Sequence, residues 1–351
     1  MAIIKGRGTA HNPANRYAPL RSVADDVEEH DATLEPRNPA TTVTAEKARS
    51  LISYNQSPDI AHDRSINPYR GCEHGCIYCF ARPTHAYLDL SPGLDFETRL
   101  TAKTNAAEVL RRELAKPGYR CAPVTVGANT DPYQPIENQY RVTRQVLEVL
   151  WEHRHPCVLI TKSQSVCDDL PLLAQMAREN LVKVMVSVTT LDDELKRRLE
   201  PRAASGRARL KALARLAGAG VPVGVMAAPM IPAINDAELE TILAAARDAG
   251  AASAGYVLLR LPLELTELFE HWLQEHYPLR AAHVMSLIRQ SRGGRSYDAA
   301  FHQRMRGTGV FAELLAARFR RQCRALGLNQ NPAPLHTAAF RVPGSQLTLD
   351  L

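Results

Sequence analysis

The 351-residue sequence contains no uninterrupted apolar stretch of 18 residues, and no basic start followed by an apolar run opens it. Neither a membrane-spanning helix nor a cleaved leader is expected, and the chain is predicted to be soluble and cytoplasmic. Charge of one sign is barely in excess: 43 Lys+Arg against 37 Asp+Glu leave a formal +6. That balance permits a polyanionic partner without requiring one. Aromatic residues are scarce, at 6%. Those near the arginines of the C-terminal third (Tyr297, Phe301, Phe311, Phe319) serve equally well as core residues. A disulfide framework is also lacking, because the seven cysteines are odd in number and irregularly spaced. Cys121, Cys157, Cys167 and Cys323 are expected to be small buried hydrophobes. What remains is ordinary globular material, 45% hydrophobic, enough for one large domain with appendages or two ordinary domains.

One stretch stands apart. Ser65-Ile66-Asn67-Pro68-Tyr69-Arg70-Gly71 runs into Cys72-Glu73-His74-Gly75-Cys76-Ile77-Tyr78-Cys79-Phe80. Cys72, Cys76 and Cys79 stand in a CxxxCxxC spacing, and Gly71 and Gly75 let the backbone turn tightly around a bulky object. Three thiolates suit a 4Fe-4S cluster with one iron left without a protein ligand. A structural zinc would want a fourth Cys or His. His74 lies between two of the cysteines, where the turn that aims them at one centre points it elsewhere. Zinc with His74 or a distant fourth ligand, or three unremarkable thiols, are the other readings of the same residues.

Downstream, short apolar strands alternate with helices. Strands are expected near Val124–Gly127, Val158–Ile160, Val182–Val188, Val221–Met226 and Tyr256–Leu259, with one more ending near Asn67. Helices are expected over 103–115, 142–151, 170–177, 192–199, 207–217 and 235–249. Such alternation argues for parallel strands joined by right-handed crossovers. The fold class is therefore α/β, a partial (β/α)6 parallel barrel, with chemistry at the C-terminal ends of its strands. Residues 1–40 read as a flexible polar arm, 41–262 as the barrel, and 263–351 as a mainly helical extension. That extension carries nine arginines between Arg289 and Arg324, read as a helical cap over the barrel's open side with solvated arginines, or alternatively as a phosphate-binding surface. Residues 82–102 read as irregular.

Polar residues recur where the strands end. The second strand runs into Asn129-Thr130-Asp131-Pro132-Tyr133-Gln134-Pro135-Ile136-Glu137. The third leads to Lys162, which can meet a carboxylate as a point charge. The fourth carries Ser187, a hydroxyl amid valines suited to a ribose. The fifth passes through Ala227 and Ala228 to Pro229, small enough for a planar ring to approach the backbone.

These motifs resemble those of the radical S-adenosylmethionine (SAM) superfamily, and within it the spore photoproduct lyase branch, over about Ser65 to Pro262. The chain is still more similar to uncharacterised bacterial relatives of that lyase carrying NPYRGCEHGCxYC and TDPYQPxE. The resemblance implies a 4Fe-4S cluster on Cys72, Cys76 and Cys79, and SAM on its open iron. Reductive cleavage of SAM then gives a 5′-deoxyadenosyl radical that abstracts hydrogen from a substrate. It further implies SAM contacts from Tyr78, Thr130, Asp131, Lys162, Ser187 and Ala228, with Glu200-Pro201 matching the family's Glu-Pro. An electron donor of flavodoxin or ferredoxin type, possible DNA or RNA as substrate, and a monomeric state complete the expectation. Two positions depart from the lyase pattern: Ala128 stands where the hydrogen-donating cysteine would be, and Phe80 replaces a relay tyrosine. No catalytic residue is therefore assigned. SAM cleavage is implied, but repair of the spore thymine dimer lacks its residues. The alternative is a non-enzymatic iron–sulfur sensor or scaffold.

Overall fold

A computed structural model describes residues 4–17, 39–330 and 334–342. Two short strands, β1 (Thr42–Glu46) and β2 (Ile52–Tyr54), precede β3 (Arg64–Ile66), which feeds the cysteine loop. β4 (Tyr69–Arg70) lies inside that loop's approach. After it come the short helix α1 (Asp95–Thr98), β5 (Arg99–Lys103) and α2 (Ala106–Leu114). Ala106, Val109, Leu110 and Leu114 are all buried, the face their helical spacing predicts.

The strand–helix rhythm then runs as expected. β6 (Val124–Val126) is followed by α3 (Glu137–Tyr140) and α4 (Val142–Glu152). β7 (Cys157–Thr161) leads to α5 (Leu170–Arg178), and β8 (Val182–Ser187) to α6 (Asp193–Leu199) and α7 (Gly206–Gly218). β9 (Val223–Met230) leads to α8 (Leu239–Asp248) and on to β10 (Ser253–Leu258). Apart from the half-buried edge strand β10, these strands are largely buried on both faces, as a sheet covered by helices demands. The sheet order is β10-β9-β8-β7-β6-β3-β2. All neighbours from β3 to β10 pair in parallel, and β2 joins β3 antiparallel. This is the predicted six-stranded parallel array, with the C-terminal ends of its strands along one edge.

Local chemistry sets the helix starts. The Asp192 side chain accepts from the Glu194 and Leu195 amides at 2.7 and 2.9 Å, and the Ser205 hydroxyl accepts from the Ala208 amide at 3.2 Å. The helix expected from residue 235 starts later, without a side-chain cap. Residues Asp236–Glu238 make a 3-10 turn before α8. The Asn235 amide instead turns inward, donating to the Thr189 and Pro229 carbonyls at 2.7 and 2.9 Å.

Three findings depart from the sequence reading. β5 falls in the stretch read as irregular, where it forms a small separate sheet, β1-β5-β4. Its partners are local in space and remote in sequence, so no local pattern announces it. Second, residues 4–17 are not a loose arm: the Arg7 guanidinium is buried, donating to the Glu97 and Pro39 carbonyls at 3.1 and 2.7 Å. The rest of the predicted arm to residue 38 lies outside the described residues. Third, the C-terminal helices α9 (Leu265–His276) and α10 (Pro278–Gln290) share one apolar core with Cys76, Ile77 and Tyr78. α11 (Gly309–Ala325) packs instead on α8 and β10.

Candidate active site

The cysteine loop leaves β3 and is gripped from all sides. Gly71 and Gly75 have φ of 73° and 66°, a region that a side chain would strain. The Cys72 amide donates to the Phe96 carbonyl at 2.9 Å, and the Ile77 amide to the Leu199 carbonyl at 3.1 Å. Arg82, fully buried, reaches back from just past the loop. Its Nε donates to the Cys76 carbonyl at 2.9 Å and its Nη2 meets Glu97 at 2.5 Å. Glu97 also accepts from the Gly8 amide at 2.8 Å. The N-terminal strap, residues 4–17, thus lies on the loop, and a Cβ on Gly8 would stand 1.8 Å from the Gly75 oxygen.

Cys72 and Cys76 are buried and Cys79 is partly exposed. Burial is the main cause that pushes the Cys72 and Cys76 thiols up, and the thiols reinforce one another: Cys79 raises both. Lys162 opposes the shift at Cys76. Although close enough to couple, the three sulfurs do not all come within 4.8 Å of one another. A single tetrahedral zinc at about 2.3 Å from each sulfur would draw them to roughly 3.8 Å. Three thiolates in one loop suit a cluster, with each thiolate on its own iron. Cationic iron would also supply the positive charge that buried thiolates need.

The run from Asn129 to Glu137 docks onto this loop almost residue by residue. Asn67 Oδ1 accepts from the Asn129 amide at 2.8 Å. The Thr130 hydroxyl donates to the Tyr69 carbonyl at 2.8 Å. Gln134 bridges the loop, donating to the Gly71 carbonyl at 3.1 Å and accepting from the Glu73 amide at 2.9 Å. Glu137 takes the Tyr69 hydroxyl and the Thr143 amide, the latter at 3.0 Å. Asp131 accepts from the Thr161 hydroxyl and the Lys162 amide, both at 2.6 Å, and faces His74 Nδ1 at 3.4 Å. Burial alone would raise the Asp131 carboxyl. His74, Thr161 and the Lys162 amide more than offset it and hold that group well below the usual carboxylate range. The polar groups of Thr130 and Asp131, expected to contact a ligand, bond to the protein. His74 Nδ1 points at Asp131.

On the loop's other side a second network gathers most of the remaining candidates. The buried Tyr78 hydroxyl donates to Glu200 and lies 3.0 Å from Thr189 Oγ1. Thr189 reaches Glu200 at 2.7 Å and the Ala228 carbonyl at 2.9 Å. Glu200 pairs with Arg209, which also donates to the Ser187 carbonyl at 3.0 Å; both charged groups are fully buried. Lys162 Nζ stands 5.9 Å from the Tyr78 ring centre. The network thus links Tyr78 to the backbone carbonyls of Ser187 and Ala228, with Lys162 beside the Tyr78 ring. Sequence reasoning missed Arg209 and Arg82, because an arginine in a helical or irregular run reads as surface. Their only signal is the carboxylate that each turns out to need.

Phe80 is 40% exposed, with the Arg260 guanidinium 5.0 Å above its ring. Cys121, expected to be buried, is only half-buried, and it precedes β6 at the opposite edge of the sheet from the loop. Cys157, Cys167 and Cys323 are buried as expected.

Comparison with known proteins gives consistent matches. The sequence profile of the Radical SAM superfamily matches residues 66–246. An uncharacterized protein of Mycobacterium tuberculosis is 36% identical over 281 residues, covering 80% of this chain and 79% of that one. An uncharacterized protein of Methanocaldococcus jannaschii is 25% identical over 232 residues, 66% of this chain and 82% of that one. Among solved structures, spore photoproduct lyase complexed with dinucleoside spore photoproduct aligns with a TM-score of 0.60 and 15% identity, covering 83% of this chain and 82% of that one. A mutant of that lyase with bound AdoMet and the same dinucleoside aligns with a TM-score of 0.60 at 14% identity, over the same shares. At that identity the likeness is one of fold.

Proposed function

This chain belongs to the radical SAM superfamily, and on that premise we propose that Cys72, Cys76 and Cys79 hold a 4Fe-4S cluster whose open iron binds SAM. The protein is a SAM-dependent radical enzyme. Held by these residues, cluster and SAM would supply radical chemistry, the reductive cleavage of SAM to a species able to take hydrogen from a substrate. The electron comes from a small flavodoxin- or ferredoxin-type protein.

The chain's own residues bind and orient. Lys162 offers a cation for the SAM carboxylate. The Ser187 hydroxyl suits the ribose, and Ala228 leaves room for adenine beside the backbone. Tyr78, fixed through Thr189 and Glu200, gives the pocket a rigid aromatic wall. Thr130 and Asp131 act as positioning residues, Asp131 by fixing the Lys162 amide and His74 together. Phe80 and Ala128 offer neither hydroxyl nor thiol, so the last hydrogen comes from another source than those two positions.

One observation supports the reading most: Tyr78, set between Cys76 and Cys79, bonds Glu200 and lies 3.0 Å from Thr189, which donates to the Ala228 carbonyl at 2.9 Å, while Lys162 Nζ stands 5.9 Å from the Tyr78 ring centre. Anaerobic protein given iron, sulfide, SAM and a reductant is expected to yield 5′-deoxyadenosine. A fully loaded cluster that yields none would reject the proposal. Lys162→Ala is expected to weaken SAM binding about tenfold or more with iron content unchanged. Unchanged SAM affinity in that variant would instead favour an iron–sulfur sensor.

A further inference from the structure

Away from the cysteine loop, three metal-ligating side chains meet where the N-terminal strap crosses α9. We propose that His11, Glu267 and His271 form a divalent transition-metal site of the zinc type, which fastens the strap to the C-terminal helices. Among the described residues this is the one group of three such side chains whose ligand atoms all lie within 4.8 Å of one another.

Glu267 and His271 are four residues apart on α9 and therefore share a face. His11 comes from a backbone held firmly in place. Its carbonyl accepts from the Leu94 amide at 3.1 Å, and its amide donates to the Thr9 hydroxyl at 3.0 Å. A Cβ on Gly93 would stand 2.0 Å from the His11 oxygen, so only glycine allows that approach. Next along the strap, Asn12 exchanges two hydrogen bonds with Asp95, at 3.1 and 3.0 Å. His11 Nε2 lies 3.7 Å from Glu267 Oε1, and the rings of His11 and His271 are perpendicular, 5.4 Å between centres.

Two imidazoles and one carboxylate are a borderline donor set, which zinc accepts and magnesium or calcium does not favour. A tetrahedral ion needs ligand atoms roughly 3.3 Å apart at bond lengths near 2.0–2.1 Å. Glu267 and His271 are exposed and can close that difference by small rotations. The three protein ligands leave a fourth position open to solvent.

The placement gives the site a purpose. One turn before Glu267, Glu264 already takes a two-pronged contact from Arg16 of the strap, at 2.6 and 2.8 Å. Glu264, Glu267 and His271 therefore run down one side of α9 with the strap laid along them. The same strap carries Gly8, which rests on Gly75 of the cysteine loop. Metal at His11 holds the strap over that loop from outside it.

Calorimetric titration with Zn2+ of protein already carrying its iron tests this. One zinc per chain is expected beyond the iron. His11→Ala and His271→Ala should each weaken its binding about tenfold or more, with iron content unchanged. Equal zinc uptake by the double variant, or none by the wild type up to about 100 µM, overturns the proposal. Arg16→Ala loosens the strap without touching a ligand and should retain the zinc. 5′-Deoxyadenosine yield, measured separately, keeps the fate of the SAM reading distinct from this one.

Discussion

His155 shows what burial does to one side chain. It lies just before β7, with Nδ1 at 3.0 Å from the Pro156 carbonyl and Nε2 at 2.7 Å from the Tyr119 hydroxyl. Burial is the main cause that lowers the ring to about 4, with the Pro156 carbonyl opposing and Arg64 assisting. An unfolded histidine protonates near pH 6.5. As pH falls from about 6.5 to 4, the unfolded chain takes up a proton that the folded one refuses, and stability drops. At about 1.4 kcal/mol per pH unit, the loss approaches roughly 3 kcal/mol. Urea midpoints measured across that range should fall steeply in the wild type and less so in His155→Gln. Asp131 works in a lower window. Its depressed carboxyl contributes above about pH 3.9 and loses that contribution as pH falls further.

Among elements, the consequential pair is the cysteine loop and the segment from Asn129 to Glu137. Both motifs are conspicuous in the sequence; their embrace is not. Gln134 and Glu73 are 61 residues apart, and hydrophobic periodicity carries no information about such a pairing. The strands and helices of the barrel were readable because each announces itself locally, through valine runs and caps such as Asp192. β5, the strap and the inward turn of Asn235 were hidden because distant partners define them. The clamp predicts its own failure. Gln134→Leu strands the buried Glu73 amide and Gly71 carbonyl, at about 1–3 kcal/mol each. Chemical denaturation should register that loss, and iron bound per chain should fall. Gly8→Ala, by pushing the strap off Gly75, should reduce iron retention without altering the barrel's circular dichroism.

Over the whole molecule, four of the nine arginines between Arg289 and Arg324 are tied to protein partners. Arg292 is buried and donates to the carbonyls of Leu258, Leu259, Gln303 and Arg304. Arg304 meets Asp59 at 2.6 Å, Arg318 meets Glu240 at 2.6 Å and Arg289 meets Glu270 at 2.9 Å. Composition alone cannot distinguish such ties from a cationic surface. With those four engaged, the phosphates that this cluster could neutralise are expected to be fewer than its nine arginines suggest. The slope of log affinity for DNA against log salt should be no steeper than about −3 between about 50 and 200 mM, by fluorescence anisotropy. A steeper slope would locate a basic surface elsewhere. The described tail follows the same logic of tying distant parts, since the His336 amide donates to the Asn180 carbonyl and the Arg341 amide to the His153 carbonyl.

The unequal shelter of the three cysteines bears on how the protein ages in air. Cys72 and Cys76 sit deep while Cys79 faces partly outward, so oxidants and alkylating reagents meet the third sulfur first. In iron-free protein, mass spectrometry should find iodoacetamide on Cys79 well before the other two. Damage in storage should begin at that corner and work inward.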